Sequence, residues 1–368
     1  MLAELVEVVI GVDTHTDTHT AAVLTAATGA VLEVRTVPAD PSGYAELVAL
    51  ADQHTGEHLG ENAGENAREN SGLRARAIEG TGGYGAGLAR HLAGAGELVI
   101  ELDHPLRPAR RAGAKSDPID AERAARDALA RTRLAQPKTG PERAALQMLL
   151  AVRRAAVEAA VIGQRQLHAL VVTAPEPVRA RFRGQNTRSM LATAARLRPH
   201  GDIHVRTAVT VLRTLARRVA ALRAEAANHE TAIRAIVRTW RPELLDRPGI
   251  GPINAAVVLT AWSHPGRCRS DAAFAMLAGA APIPASSGKT VRHRLNRSGD
   301  RQLNRALHTI AMSRMRYDPD TRAYTERRRA EGKTNRDIQR CLKRYIARQL
   351  YRQLETTTPT PPPPLDEP

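Results

Sequence analysis

Residues 113–130 read GAKSDPIDAERAARDALA, and within them Asp117-Pro118-Ile119-Asp120 opens an Ala-rich helical pattern. Carboxylates at i and i+3 are neighbours on a helix surface, so Asp117 and Asp120 face the same way. Two further acids close apolar runs upstream: Asp13 ends LVEVVIGVD (5–13) and Glu79 ends LRARAIE (73–79). Brought together by folding, four carboxylates from three separated elements would hold one or two hard divalent cations. A plainer reading uses the same residues, with Asp117 as the N-cap ahead of a proline and Asp120 as a capping-box acid. The two readings part on whether Asp13 and Glu79 come to lie beside the helical pair.

Composition narrows the classes. The 368 residues are enough for two or three domains, and 42% hydrophobic content supports buried cores. Aromatic residues make up only 3%, so the cores are built from Ala, Leu, Val and Ile, which suits helices and argues against base-stacking platforms. A formal charge of +16 and a pI near 10.9 point to a polyanionic partner met through its phosphates. Cys268 and Cys341 make neither a disulfide framework nor a zinc cluster, which fits a reducing compartment. The start lacks a basic n-region and no uncharged apolar run is long enough for a bilayer, so a cytoplasmic protein without a membrane partner is expected.

Along the chain, residues 5–13 read as a buried strand, and 19–37 as two strands around a Thr28-Gly29 hairpin signal. A helix over 41–53, a strand at 74–79, a helix over 83–96 and a strand at 97–102 follow. Three strands, helix, strand, helix, strand, helix is a mixed α/β pattern with helices on the sheet's faces. Asp13 and Glu79 both fall at strand ends, where such sheets bind ligands. The Gly-Glu-Asn-rich stretch 56–70 reads as an inserted flexible loop. Residues 141–171 and 207–240 are long, Ala/Leu/Arg-rich and helical in period, which predicts an antiparallel coiled-coil arm and a natural dimerisation device.

Pro248-Gly249-Ile250-Gly251-Pro252 has the form of a helix-hairpin-helix turn, whose glycines let backbone N–H groups meet a phosphate; a tight turn between packed helices is the alternative. From Lys289 to Arg352 there are 19 Lys/Arg against six Asp/Glu, a net of +13, and this imbalance favours a phosphate-binding surface. Lys289, Arg292, Arg294, Arg297, Arg301 and Arg305 are its candidate contacts. The Pro-rich end, 353–368, reads as a disordered tail.

Four carboxylates around two metal ions suit phosphodiester chemistry, and Mg²⁺ prefers such anionic oxygen ligands. An acid on the first strand, one on the fourth and a pair on a later helix resembles the RNase H/RuvC-like nuclease fold. GVDTHTDTH (11–19), AIEGTGGYG (77–85) and AKSDPIDAERAA (114–125) resemble the three acidic blocks of the DEDD insertion-sequence transposases, the IS-one-ten family. LDRPGIGPINAAVVLTAW (245–262) and AGAAPIPASSGKTVRHRLNRSGDRQLNRALHTIA (278–311) resemble that family's C-terminal transposase domain. The resemblance implies a RuvC-like domain over 1–138 with an insertion at 56–72, a coiled-coil arm over 139–243 and a small helical domain over 244–352. It implies Asp13, Glu79, Asp117 and Asp120 as the Mg²⁺-binding set and Ser287 as nucleophile, with Ser286 and Ser298 as competitors.

It further implies double-stranded DNA at element ends and target, a structured non-coding guide RNA, and a homo-oligomer, dimer or tetramer, associated with a bacterial nucleoid when active. Independently, a serine hydroxyl attacking phosphate needs an electropositive setting, which Lys289, Arg292, His293 and Arg294 supply. The alternatives are a hydrolytic RuvC-like junction resolvase and a non-catalytic nucleic-acid-binding protein. His15 and His19 have the spacing of a helical metal pair but lie in strand and turn, so they are expected at the site's rim or in structure. Tyr84 is expected to pack in its glycine-rich turn.

Overall fold

The computed structural model describes residues 2–55, 72–102, 116–286, 290 and 292–356. The inserted loop, the Pro-rich tail beyond Thr356, Ser287 and Lys289 lie outside the described residues. The chain divides into two compact units, 1–139 and 140–368.

In the first unit, β1 (Val8–Thr14), β2 (Thr18–Thr25) and β3 (Val31–Pro38) form an antiparallel meander. α1 (Pro41–Gln53) leads to β4 (Arg74–Glu79), α2 (Ala86–Gly94) to β5 (Leu98–Leu102), and α3 (Asp117–Ala130) follows. The sheet order is β3-β2-β1-β4-β5, with β4 parallel to β1 and β5 parallel to β4. β1 is central and its residues 8–12 are all buried, as expected of a continuous Val/Ile run covered on both faces. β3 is an edge strand and half exposed.

Alternation sorts the core into two layers. Val9, Ala22, Leu24, Ala75, Ala77, Ile100 and Leu102 pack with Ala121, Ala124, Ala125 and Ala128 of α3. Val8, Ile10, Val12, Ala21, Val23 and Ile78 pack on the other side with Leu47 and Leu50 of α1 and Leu88 and Leu92 of α2. The stripe of α3 that meets the sheet is alanine throughout, and opposite it β1 carries Gly11. A Cβ at Gly11 would stand 2.0 Å from the Ala121 carbonyl oxygen and 2.5 Å from the Ala125 nitrogen. The helix therefore rests backbone to backbone on the central strand.

In the second unit, α4 (Pro141–Thr173) and α7 (Ile203–Trp240) run antiparallel. Arg153 meets Glu230, Gly163 faces Val219, and Gln166 accepts from Arg218, so residue numbers rise on one helix as they fall on the other. The short helices α5 (Glu176–Arg179) and α6 (Thr187–Arg196) close the far end of the pair around Val178, Phe182 and Met190. At the near end, Leu146, Ile233 and Val237 join one core with α8 (Pro252–Trp262), α9 (Asp271–Leu277), α10 (Arg301–Tyr317) and α12 (Asn335–Thr356). The scarce aromatics gather here: Trp262 is fully buried and its Nε1 donates to Glu355 at 2.7 Å, and Phe274 packs tilted against Tyr351 with ring centroids 5.8 Å apart. A small hairpin, β6 (Ile283–Pro284) with β7 (His293–Arg294), precedes α10, and the basic α11 (Pro319–Ala330) follows it. Among the described residues no helix is long and apolar enough to cross a membrane.

Candidate active site

The period of two along a strand decides which acids meet. Val9 and Gly11 face α3, so Asp13, the next residue of that parity, faces α3 as well. Ala75 and Ala77 of β4 face α3, and Glu79 continues that row. Val12 pairs with Ile78 in the parallel ladder, which brings Asp13 and Glu79 to the same C-terminal edge on neighbouring strands. Thr14 Oγ1 donates to the Glu79 carbonyl at 3.0 Å and ties the two strand ends together. The N-terminus of α3, held down over Gly11, brings Asp117 and Asp120 to that edge.

Asp13, His15 and Asp117 offer ligand atoms that all lie within 4.8 Å of one another. His15 Nε2 stands 3.2 Å from Asp13 Oδ2 and 3.5 Å from Asp117 Oδ1. Burial pushes the Asp13 carboxyl above its ordinary value; His15 pulls it down, while the negative charges of Asp117 and Asp120 push it up further. The charges of Asp117 and Asp120 thus reach Asp13, with His15 and, on Asp120, Arg123 as the opposing groups. Glu79 is half buried on the same face, but neither its carboxylate nor that of Asp120 is a member of the 4.8 Å group. A carboxyl perturbed as Asp13 is marks a candidate functional site.

The capping alternative does not hold. α3 begins at Asp117 with Ser116 as its N-cap, and the Ser116 side chain makes no cap hydrogen bond. Asp120 accepts instead from Arg123 Nη1 at 3.0 Å. Both carboxylates sit in the first turn, where the helix dipole favours negative charge.

The two histidines, both expected at the rim or in structure, part company. His19 pairs with Thr14 across the hairpin, is fully buried, and stacks on Tyr44 with ring centroids 5.8 Å apart; burial lowers its pKa. His15 stays at the mouth. Its closeness to two of the acids is what the spacing rules missed, because a hairpin turn, with the His15 amide donating to the Thr18 carbonyl at 3.0 Å, carries it round to α3. Tyr84 corrects an expectation: it is 65% exposed rather than packed. Gly85 of its turn does the packing, since a Cβ there would press on Thr14 and Ile78.

In the second unit, Gly249 adopts φ +77° and sits against Ile310 and Ser313 of α10, while Gly251 is the exposed N-cap residue of α8. The turn therefore packs at its first glycine and opens at its second. Arg292, Arg294, Arg297, Arg301 and Arg305 are exposed. Arg294 and Arg297 line an open pocket of about 560 Å³ with Ile283, Leu295 and Ser298. The hydroxyls competing with Ser287 have local partners: Ser286 Oγ accepts from the Arg292 amide at 3.2 Å, and Ser298 Oγ donates to Asn296 Oδ1 at 2.6 Å.

Known proteins match both units. Residues 10–174 match the DEDD transposase family of the IS110 type, and residues 242–326 match the Transposase IS116/IS110/IS902 family. The first match begins within β1 and ends where α4 does. The uncharacterized 43.6 kDa protein of insertion element IS110 from Streptomyces coelicolor is 36% identical over 118 residues, 32% of this chain and 29% of that one. The uncharacterized 42 kDa protein of insertion element IS900 from Mycobacterium paratuberculosis is 33% identical over 151 residues, 40% of this chain and 38% of that one. The aligned stretches thus span well under half of these relatives. Residues 10–174 and 242–326 are thus each similar to a transposase family of IS110-type insertion sequences.

Proposed function

We propose that the protein is a transposase that cuts and rejoins insertion-sequence and target DNA, with Asp13, Glu79, Asp117 and Asp120 as the Mg²⁺-binding set and Ser287 as the nucleophile. The observation that carries this reading is the meeting of Asp13 with Asp117 on the α3 face of the sheet, from elements about a hundred residues apart. The sheet order, with a central parallel pair and an antiparallel meander, reads as RNase H/RuvC-like. The donor set fits a hard dication: it is oxygen-rich, anionic, and raises the cost of ionising Asp13 unless a cation arrives. When bound, Mg²⁺ would polarise the phosphate and stabilise the leaving oxygen.

Asp13 and Glu79 supply ligands from a rigid sheet edge, while Asp117 and Asp120 supply them from a helix fixed by backbone contact. Ser287 Oγ attacks phosphorus, the P–O3′ bond breaks, and the serine proton leaves with the 3′-hydroxyl, which gives a 5′-phosphoserine link. The exposed arginines of the second unit would hold DNA and a guide RNA by their phosphates, and Gly251 would offer an amide at the start of α8. The long helix pair, as a coiled-coil arm, would join protomers. Trapping on a suicide DNA substrate tests the whole reading. We expect a Mg²⁺-dependent covalent adduct that is lost in Ser287→Ala and in Asp120→Asn. Cleavage without any adduct would assign hydrolysis, and no cleavage by a folded, metal-loaded chain would leave a binding protein.

A further inference from the structure

Resting on the reading that these acids hold a dication, we propose that His15 is a direct ligand through Nε2, and that this nitrogen biases the site toward Mn²⁺ over Mg²⁺. One ring nitrogen faces oxygens of two separate carboxylates, at 3.2 Å from Asp13 and 3.5 Å from Asp117. Ligands about 2.1 Å from an ion lie roughly 3.0 Å apart in an octahedron and roughly 3.4 Å apart in a tetrahedron. Both separations are those of neighbouring corners around one ion.

A histidine acting from outside the coordination shell would bond the far oxygen of a single ligand carboxylate. His15 Nε2 is within hydrogen-bond reach of Asp13 Oδ2 and also within ion-pair distance of Asp117 Oδ1, so the one nitrogen faces both carboxylates. The hairpin turn fixes its backbone, and the side chains of His15 and Asp117 are each half exposed, so the remaining corners stay open to water and phosphate oxygens. Chemistry then sets the preference. Mg²⁺ selects oxygen and dehydrates reluctantly, whereas first-row transition dications accept imidazole with carboxylate. A site with all four expected acids and no nitrogen would lack this bias.

The test uses the full chain and Mn²⁺ itself. Free Mn²⁺ is measured by electron paramagnetic resonance with Mg²⁺ as competitor, and bound Mn²⁺ is examined by pulsed methods for coupling to a ligand ¹⁴N. In the wild type we expect such coupling. In His15→Ala we expect the coupling to vanish and Mn²⁺ affinity to fall about tenfold or more, with Mg²⁺ affinity changing far less. Circular dichroism melts should show both proteins folded, since His15 is exposed. Asp13→Asn should lose both ions. A ¹⁴N signal that persists in His15→Ala, or a Mn²⁺:Mg²⁺ ratio equal to that of the wild type, overturns the inference while leaving the acidic site standing. A wild type that binds neither ion overturns both.

Discussion

Gly11→Ala tests how the two halves of the acidic site are joined. The new methyl carbon would lie 2.0 Å from the Ala121 carbonyl oxygen and 2.5 Å from the Ala125 nitrogen. Carbon needs about 3.5 Å, so α3 must lift by roughly 1–1.5 Å. Neither offending atom can rotate aside, because both are helix backbone. Overpacking of a close-packed interior costs about 1–3 kcal/mol, and the rigidity of this contact puts it at the upper end. About 3 kcal/mol is roughly a hundredfold in the folding equilibrium and about 10 °C in midpoint for a unit of this size. Lifting α3 also carries Asp117 away from Asp13 by a distance comparable to half a metal–ligand bond, so Mn²⁺ affinity should fall with stability. Calorimetric melting and Mn²⁺ titration of the same preparation read both effects. Gly94→Ala is the control, because a Cβ there meets nothing within 4 Å and lies in a helix. A Gly11→Ala protein melting within about 2 °C of wild type, with Mn²⁺ binding unchanged, would refute the seating of α3 on β1.

Asp13→Asn should raise the melting midpoint of the metal-free protein by the equivalent of about 0.5–1 kcal/mol, because it removes an anion that burial and two neighbouring aspartates disfavour; a midpoint below that of the wild type counts against that electrostatic account. Glu97 is held between Arg74 and the fully buried Arg76, and Glu97→Gln should cost about 3 kcal/mol by leaving a buried guanidinium without its charge partner, read by urea unfolding. Burial opposes the Glu97 charge, but hydrogen bonds from Arg74 and Arg76 outweigh it and hold its pKa below 4.5. Its contribution is therefore present above pH 4.5 and lost as pH falls through the lower folded value, and the Gln variant should lack that acid transition. His19 adds an earlier acid window: its folded pKa is lowered from 6.5 by burial, so the unfolded chain takes up the proton first and stability declines as pH drops below 6.5. His19→Phe should flatten that slope between about pH 7 and 5, and an unchanged slope would place the titration elsewhere.

The element order of the first unit was legible because each signal was local. Continuous β-branched runs made buried strands, Thr28-Gly29 made a turn, and the Ala-rich 3.6 period made α3. The site was legible in part. Asp13 and Glu79 stood out as acids closing apolar runs, yet Asp117 and Asp120 fitted a helix cap equally well, since Asp-Pro serves either purpose in sequence. Only the hydrogen bonds separate them, with Ser116 at the cap position and Asp120 turned to Arg123. His15 was hidden because a turn, not a helix or strand period, sets its direction. Tyr84 was misjudged for a related reason: Gly85 beside it takes the packed position, and the ring is left outside.

One overlooked signal carries more than the others. A lone glycine inside a strand marks a close backbone approach, and Gly11 is such a residue two positions before Asp13. Its parity names the face, since Val9, Gly11 and Asp13 must point together, as must Ala75, Ala77 and Glu79. A one-residue slip of β4 against β1 would turn Glu79 to the α1 and α2 side and present Ile78 to α3 instead. The Val12–Ile78 pairing excludes that slip, because Ile78 is needed in the opposite core layer with Leu47 and Leu88. The apolar residues of the two strands thus fix which acids can share a face, and the pinning of α3 over Gly11 fixes which helical acids come down to meet them.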